Sequence, residues 1–209
     1  SNPTAILLVN TKVSGKLKNI EIANLEISGI GSTKIAASGK IIGLPDLKKA
    51  NFDLTIKDFK SSAKDLNAFV PKGTIPNSIQ LPLQFSVKGT FKGTIDNFYT
   101  NLNLLTSSGN AKIKTSFDHR RKKLEKYDAQ AEFDNFDLGR LLKNDSIGKI
   151  TLKATIKGTG LNPKTANAIG SATIIKAHYN KYVYQNINLS GVIKNGDFDV
   201  TADAKDPNL

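Results

Sequence analysis

Apolar and polar residues alternate along most of this chain. The alternation is strictest over residues 79–87, where every second residue is apolar and the residues between them are polar or proline. Successive side chains of a β-strand point to opposite faces, so the pattern predicts a strand with one apolar and one polar face. The segment ends in Val87-Lys88-Gly89-Thr90, and residues 150–159 repeat both the alternation and the Lys-Gly-Thr ending. Similar alternation elsewhere predicts about twelve strands.

Two short segments change to a helical period. Ser62 and Asp65 have the spacing of a capping box, with apolar residues three and four apart after them, which predicts a helix over residues 62–70 that ends at Pro71. Asp137 is placed to cap a second helix, over residues 137–143. The segment before the first helix, 54–59, matches the segment before the second, 131–136. We therefore predict one continuous segment, 1–209, built of a partial unit (about 1–49) and two repeats, 50–126 and 127–209.

The number of strands bears on the fold class. Twelve strands about 4.8 Å apart make a sheet roughly 50 Å long, and sheets of that length curl or split. Two small helices cannot cover its apolar face. The prediction is a mainly β protein, in which a long curved antiparallel sheet folds into a groove like a taco shell, with two short α-helices. The residues predicted to line this groove are Leu81, Leu83, Phe85, Val87, Leu102, Leu104, Ile113, Phe117, Ile150, Leu152, Ala154 and Ile156.

Composition narrows the function classes. The 209 residues have a net charge of +12, but only three of the 30 basic residues are arginine, and no cysteine occurs. Arginine is the residue suited to bidentate phosphate and base contacts, so we expect no nucleic-acid partner, and a polyanion-binding role is the less favoured hypothesis. The chain has no apolar run long enough for a membrane-spanning helix or for the core of a signal peptide, which predicts an internal piece of a longer protein.

Catalytic chemistry has little support in the sequence. With no cysteine and only His119 and His178, a nucleophilic triad or a metal site is not expected, and no glycine-rich phosphate loop occurs. We expect no enzymatic activity, no cofactor and no metal. The basic segment Arg120, Arg121, Lys122 and Lys123 leaves two interpretations open, a solvent-exposed hairpin tip or a contact with anionic lipid headgroups.

Several motifs resemble the TamB group of the AsmA-like superfamily of repeating β-groove proteins. The resemblance covers most of the chain from about Leu17 onward. Its motifs are structural rather than catalytic, so they carry over no catalytic residue. The segments that carry it are 52–56, 65–69, 71–76, 87–93, 136–142, 158–166 and 202–208.

The resemblance implies a periplasmic segment of a protein anchored in the inner membrane of a double-membraned bacterium. It implies an apolar lumen that carries phospholipid acyl chains between the inner and outer membranes. The alternative that it implies is a scaffold for the assembly or translocation of outer-membrane β-barrel proteins, with a TamA- or BamA-like barrel as partner. Exposed strand edges also predict that a segment of this kind forms a homodimer.

Overall fold

The structure is a computed structural model that describes residues 6–69, 75–162 and 164–206, with the backbone alone at Phe69. These residues form twelve antiparallel β-strands and two short α-helices. The predicted fold class, mainly β with an antiparallel sheet and two short helices, is confirmed. The chain divides into a first compact unit, Ser1–Ser107, and a second compact unit, Ser108–Leu209.

The first unit contains six strands that pair in the order of the chain. Each strand is antiparallel to its neighbours, and helix α1 lies between the fourth and fifth strands. The bounds are β1 Leu8–Lys16, β2 Asn19–Ile30, β3 Thr33–Ile42, β4 Asn51–Ser62, α1 Ala63–Phe69, β5 Gln84–Gly93 and β6 Asn97–Thr106. The last strand of the unit does not pair back with the first, so the sheet of this unit is open.

The prediction that a strand begins at Ile79 is wrong. Strand β5 begins only at Gln84, and residues 79–83 are irregular although their alternation is strict. Pro82 is buried in this segment and has no N–H to donate to a neighbouring strand. The backbone carbonyl of Leu83 accepts a hydrogen bond from the Ala63 N–H at 3.3 Å, so the segment joins the start of α1 instead of extending the ladder.

The second unit also contains six strands and one short helix, but its helix comes earlier in the order of elements. Its strands also pair in chain order, and helix α2 lies between its second and third strands. The bounds are β7 Gly109–Asp118, β8 Lys126–Asp137, α2 Leu138–Leu142, β9 Ile147–Thr159, β10 Asn167–Tyr179, β11 Tyr182–Lys194 and β12 Asp197–Ala204. As predicted, the Asp137 side chain caps α2, because it accepts the Arg140 N–H at 2.9 Å.

Helix α1 is capped partly as predicted. The Ser62 hydroxyl accepts the Asp65 N–H at 3.0 Å, as in a capping box. The Asp65 carboxylate does not return to the helix start. It accepts hydrogen bonds from the N–H and hydroxyl of Ser32, at 2.8 and 2.6 Å, in the turn between β2 and β3. Asp65 therefore ties α1 to a neighbouring hairpin. Val70 and Pro71, predicted to end this helix, lie outside the described residues.

A β-bulge lies at the matching position of both units. The register of β4 against β5 shifts between Ile56 and Phe59, and that of β8 against β9 shifts between Phe133 and Phe136. A bulge inserts one extra residue, so the side chains beyond it change face. Phe59 and Phe136, which break the alternation in the sequence, are thereby returned to the apolar side of their strands.

The buried core is small. Among the described residues, no large side chain is completely buried. The largest that comes close is Phe136, which pairs in register with Ile150 on β9, near the point where α2 packs against that strand. Most other apolar side chains are half-buried, so a sealed core does not account for the apolar residues of the chain.

Candidate functional site: the apolar faces of the two units

Strand register places the apolar residues of the first unit on one face. Phe85 and Val87 on β5 lie opposite Thr106 and Leu104 on β6, and Leu102 lies opposite Gly89. Residues that are partners in register share a face, so the same side can be followed from strand to strand. We call it the apolar face of the first unit. Its large members are Val9, Val13, Ile20, Ile22, Leu25, Ile27, Ile35, Ile41, Phe52, Leu54, Ile56, Phe59, Phe85, Val87, Phe91, Phe98, Leu102 and Leu104.

Aromatic rings concentrate on this face across β4, β5 and β6. The rings of Phe91 and Phe98 are stacked with centroids 5.2 Å apart, and Phe52 meets Phe91 edge-on at 6.2 Å. A third pair, Phe59 and Phe85, has centroids 5.8 Å apart. Offset and edge-on pairs are the favourable geometries for phenylalanine, so these rings form an ordered apolar surface although they remain half-exposed.

The second unit carries an equivalent apolar face. Ile113 on β7 lies opposite Ala131, and Ala131 lies opposite Ala154 on β9. Ile156 lies between Ala129 and Gly170, whose small size leaves its side chain 42% exposed. The large members of this face are Ile113, Phe117, Tyr127, Phe133, Phe136, Ile150, Leu152, Ile156, Ile174, Tyr184, Ile187, Leu189, Ile193, Phe198 and Val200.

The protein exposes far more surface than a compact monomer. Its accessible surface is 14074 Å² for a mass of 22.6 kDa. A folded globular monomer of this mass exposes about 9,500 Å². Together with the small core, this excess means that much of the apolar side-chain surface stays in contact with solvent. An apolar surface of this extent is typical of a site that binds another apolar molecule.

The opposite side of each sheet is mostly polar, although Leu105, Ile169 and Val192 are exposed there. Lys92 on β5 pairs with Asp53 on β4, with 3.1 Å between Nζ and Oδ1. In the second unit Lys157 pairs with Asp128 across β8 and β9 at 3.6 Å. These cross-strand ion pairs are exposed, so each contributes little to stability. They make this side suited to water, and the contrast between the two sides gives each unit its amphipathic character.

Most of the predicted lining residues do share a face. Within the first unit this holds for Phe85, Val87, Leu102 and Leu104, while Leu81 and Leu83 precede β5 and lie outside the sheet. Leu83 is exposed. Within the second unit all six predicted residues, Ile113, Phe117, Ile150, Leu152, Ala154 and Ile156, lie on the apolar face. Their contact with lipid stays a prediction, as does the closure of the sheet into a groove.

The alternation alone misses Phe59 and Phe136, since both fall on the polar positions of their strands. The signal that could have found them is the match between residues 54–59 and 131–136, which places a phenylalanine at the same offset before each helix. A shared bulge explains that offset. Both residues belong with the predicted lining set, Phe59 as a half-buried ring and Phe136 as a buried one.

The basic segment at the β7–β8 hairpin divides into two parts. The Arg120 guanidinium donates two hydrogen bonds to Asp118, at 2.8 and 2.6 Å, and these bonds hold the pKa of the Asp118 carboxyl well below its usual range. Arg120 is therefore engaged within the loop. The side chains of Arg121, Lys122 and Lys123 are exposed and form no ion pair with the part of the chain that the structure describes.

The described ranges contain no candidate metal-binding cluster. They contain no group of three or more His, Asp or Glu side chains that could hold a metal ion. His119 lies 3.5 Å from the Glu125 carboxylate and stacks on Phe117, and His178 lies within β10. No helix among the described residues is long and apolar enough to cross a membrane.

Comparison with family models, with curated proteins and with solved structures gave no match to this chain. Any function proposed for the chain therefore rests on its sequence motifs and on the geometry of the two apolar faces and of the loops beside them.

Proposed function

We propose that the chain is the lipid-carrying segment of a TamB-like protein of the AsmA-like superfamily. In this proposal it lies in the periplasm, in a protein anchored in the inner membrane. Its apolar faces hold phospholipid acyl chains that move between the inner and outer membranes. The observation that carries the proposal is the half-exposed apolar face in each unit.

The physical character of these faces suits transport. Burial of an acyl chain contributes about 0.8 kcal/mol per CH₂ and has no preferred direction, so a chain can slide without losing specific contacts. Phe91, Phe98 and Leu102 supply apolar surface without hydrogen-bonding groups that would fix one ligand position. Specific pockets retain their ligands, whereas a continuous apolar surface allows movement. The proposal includes no catalytic step and no cofactor.

Two adjacent leucines on β6 allow a matched test. Leu104 lies on the apolar face and Leu105 is exposed on the opposite side of the same strand. A photo-crosslinking amino acid at position 104 should label phospholipid when the chain is produced in the periplasm of a double-membraned bacterium. The same group at position 105 should label little. Equal labelling at both positions would refute the proposal.

Charge substitutions provide a second measurement. Leu104→Arg should reduce the phospholipid that copurifies with the protein, measured by native mass spectrometry and lipid extraction, whereas Leu105→Arg should leave it unchanged. Circular dichroism would verify that both variants remain folded. If purified wild-type protein carries no lipid, or if Leu104→Arg carries as much as wild type, the apolar face does not bind acyl chains.

A scaffold for outer-membrane β-barrel assembly is the second candidate function. The observation that favours it is the exposure of the edge strands β1 and β12. Every residue of these two strands is exposed, and each strand pairs with one neighbour only. Free backbone N–H and C=O groups at such edges can pair with an incoming strand.

Crosslinkers along β12 distinguish the scaffold from the lipid carrier. Photo-crosslinkers at Asp199 and Thr201 should capture outer-membrane barrel proteins, or a TamA- or BamA-like partner, if the edge accepts client strands. Capture of a second copy of the chain would instead support the predicted homodimer. Capture of phospholipid alone would count against the scaffold.

A further inference from the structure

One end of the second unit combines basic and apolar side chains. The loop between β7 and β8, residues 119–125, lies beside the described residues of the loop between β9 and β10, 160–162 and 164–166. The Gly160 N–H donates a hydrogen bond to the Glu125 carbonyl at 2.8 Å, which joins the two loops. Together with the first residue of β8, the two loops present five exposed basic residues, Arg121, Lys122, Lys123, Lys126 and Lys164. We call these five residues the basic rim.

The acidic side chains beside the first loop form hydrogen bonds within that loop. Asp118 binds Arg120, as described above. Glu125 is buried and accepts the Lys123 N–H at 3.0 Å. Because both carboxylates are committed inside the loop, they do little to neutralise the outward-facing charges. The Leu124 N–H bonds to the Arg121 carbonyl at 3.1 Å, so a turn places Lys122 and Lys123 at its tip.

Two leucines are exposed within this charged surface. Leu124 is 59% exposed in the first loop and Leu161 is 56% exposed in the second. Single exposed leucines are common on protein surfaces, so their exposure alone does not identify a site. Apolar side chains surrounded by lysine and arginine are, however, the combination that binds the interface of an anionic membrane, since the apolar groups enter the headgroup region while the cations meet the lipid phosphates.

The opposite end of the same unit is less basic. It carries α2 and the turn between β10 and β11, where Asp137 and Asp145 offset part of the charge of Arg140, Lys143 and Lys181, and Leu142 is exposed there. The charge of the unit is therefore concentrated at one end. That asymmetry orients the unit toward an anionic surface and complements the charge of such a surface.

We propose that the basic rim docks onto an anionic lipid bilayer, with Leu124 and Leu161 inserted among the headgroups. The proposal does not depend on acyl-chain binding by the apolar faces, because the contact is with the surface of an intact membrane. The scarcity of arginine and the exposure of the two leucines favour a bilayer over a nucleic acid or another soluble polyanion.

Vesicle co-sedimentation tests the electrostatic part. Wild-type protein should bind phosphatidylcholine vesicles that contain phosphatidylglycerol, bind much less to vesicles of phosphatidylcholine alone, and lose binding as salt rises. The double variant Arg121→Glu/Lys122→Glu should bind at least about 30-fold more weakly at low salt. This follows from about 1 kcal/mol of binding free energy for each basic residue, converted at tenfold per 1.4 kcal/mol.

A matched double variant controls for net charge. Lys112 and Lys114 are exposed on the polar side of β7, away from the rim, so Lys112→Glu/Lys114→Glu changes the net charge by the same amount. This variant should retain most of the vesicle binding. If the two double variants lose binding equally, diffuse charge rather than the rim is responsible, and the proposal is overturned. Absence of wild-type binding at low salt would overturn it as well.

The leucines distinguish a bilayer from a polyanion. Leu124→Ser/Leu161→Ser leaves the charge unchanged and should weaken vesicle binding several-fold, whereas binding to heparin should stay at the wild-type level. Leu105→Ser, at an exposed leucine of the first unit, is the control and should behave as wild type. If the loss of both leucines leaves vesicle binding unchanged, the rim is a general polyanion-binding surface and membrane insertion is refuted.

The tests also separate this proposal from lipid carriage. Photo-crosslinking at Leu104 reports lipid on the apolar face of the first unit, and co-sedimentation of the rim variants reports docking by the second unit. Arg121→Glu/Lys122→Glu should leave the Leu104 labelling of copurified lipid unchanged. Failure of either experiment leaves the other interpretable.

Discussion

Two isoleucines of β9 allow a quantitative test of the open apolar face. Ile150 and Ile156 lie on the same face of the same strand. Ile150 lies between Phe136 and Ala177 and is 6% exposed, whereas Ile156 lies between Ala129 and Gly170 and is 42% exposed. Substitution of each by alanine removes the same three carbons from the same strand. The intrinsic strand preference of the two residue types therefore cancels in the comparison.

The expected costs differ by about 2 kcal/mol. Three carbons at about 0.8 kcal/mol each give about 2.4 kcal/mol for a fully buried side chain. Ile150→Ala also leaves a cavity beside Phe136, which brings its cost to about 3–4 kcal/mol. Ile156 has only a little over half of its surface covered. Its replacement should cost about 1.4 kcal/mol without a cavity term, because water fills the space.

Urea unfolding followed by far-ultraviolet circular dichroism measures the difference. With a slope of about 2 kcal/mol per molar urea, the midpoint for Ile150→Ala should lie about 1 M below that for Ile156→Ala. Both residues belong to one strand of one unit, so any departure from two-state unfolding affects them alike. If Ile156→Ala costs as much as Ile150→Ala, the face is sealed within a packed core and is not open to an apolar ligand.

Three further predictions concern stability. Gly89→Ala should cost about 1–3 kcal/mol, since the φ of +148° favours glycine and a Cβ would collide with the carbonyl oxygen of Asn101; an unchanged urea midpoint would contradict this. Hydrogen bonds from the Ser32 side chain and backbone lower the pKa of Asp65 in the folded protein. The ionised carboxylate therefore stabilises the fold fully above the usual carboxyl pKa of about 4, and this stabilisation is lost as the pH falls through the lower pKa of the folded state. The gap in unfolding midpoint between wild type and Asp65→Asn should accordingly be larger at pH 6 than at pH 2, and a gap independent of pH would count against it. Phe136→Ala should cost about 3–5 kcal/mol in thermal or urea unfolding, and a loss below about 1 kcal/mol would show that the ring is not in a packed site.

Alternation in the sequence predicts most of the strands and their faces, because it reflects which side chains leave water. The clean alternation at Phe98, Leu102 and Leu104 corresponds to β6. Alternation fails at residues 79–83, where Pro82 cannot donate to a ladder and the Leu83 carbonyl is used by α1. An apolar pattern reports burial preference, but a strand also needs a partner for its backbone.

Long-range contacts could not be predicted from local pattern. The capping spacing of Ser62 and Asp65 is visible in the sequence, and half of it is confirmed. The partner of the Asp65 carboxylate, Ser32, is 33 positions away, and no local signal connects them. The basic segment is equally visible in the sequence, yet the sequence does not reveal that Arg120 is held by Asp118 or that Leu161 lies beside the loop that carries Leu124.

The pairing of every strand with its neighbours in the chain has a consequence for folding. Within each unit, every strand pairs with the strand before or after it in the chain, so its ladder does not depend on a distant segment. The loops that join neighbouring strands are short compared with the long crossover connections of Greek-key sandwiches. A smaller number of non-local pairings favours faster folding. Each unit can therefore assemble progressively as the chain emerges, one hairpin at a time. Amide exchange should accordingly be fastest in the edge strands β1 and β12 and slowest in the interior strands, such as β9, that are paired on both sides.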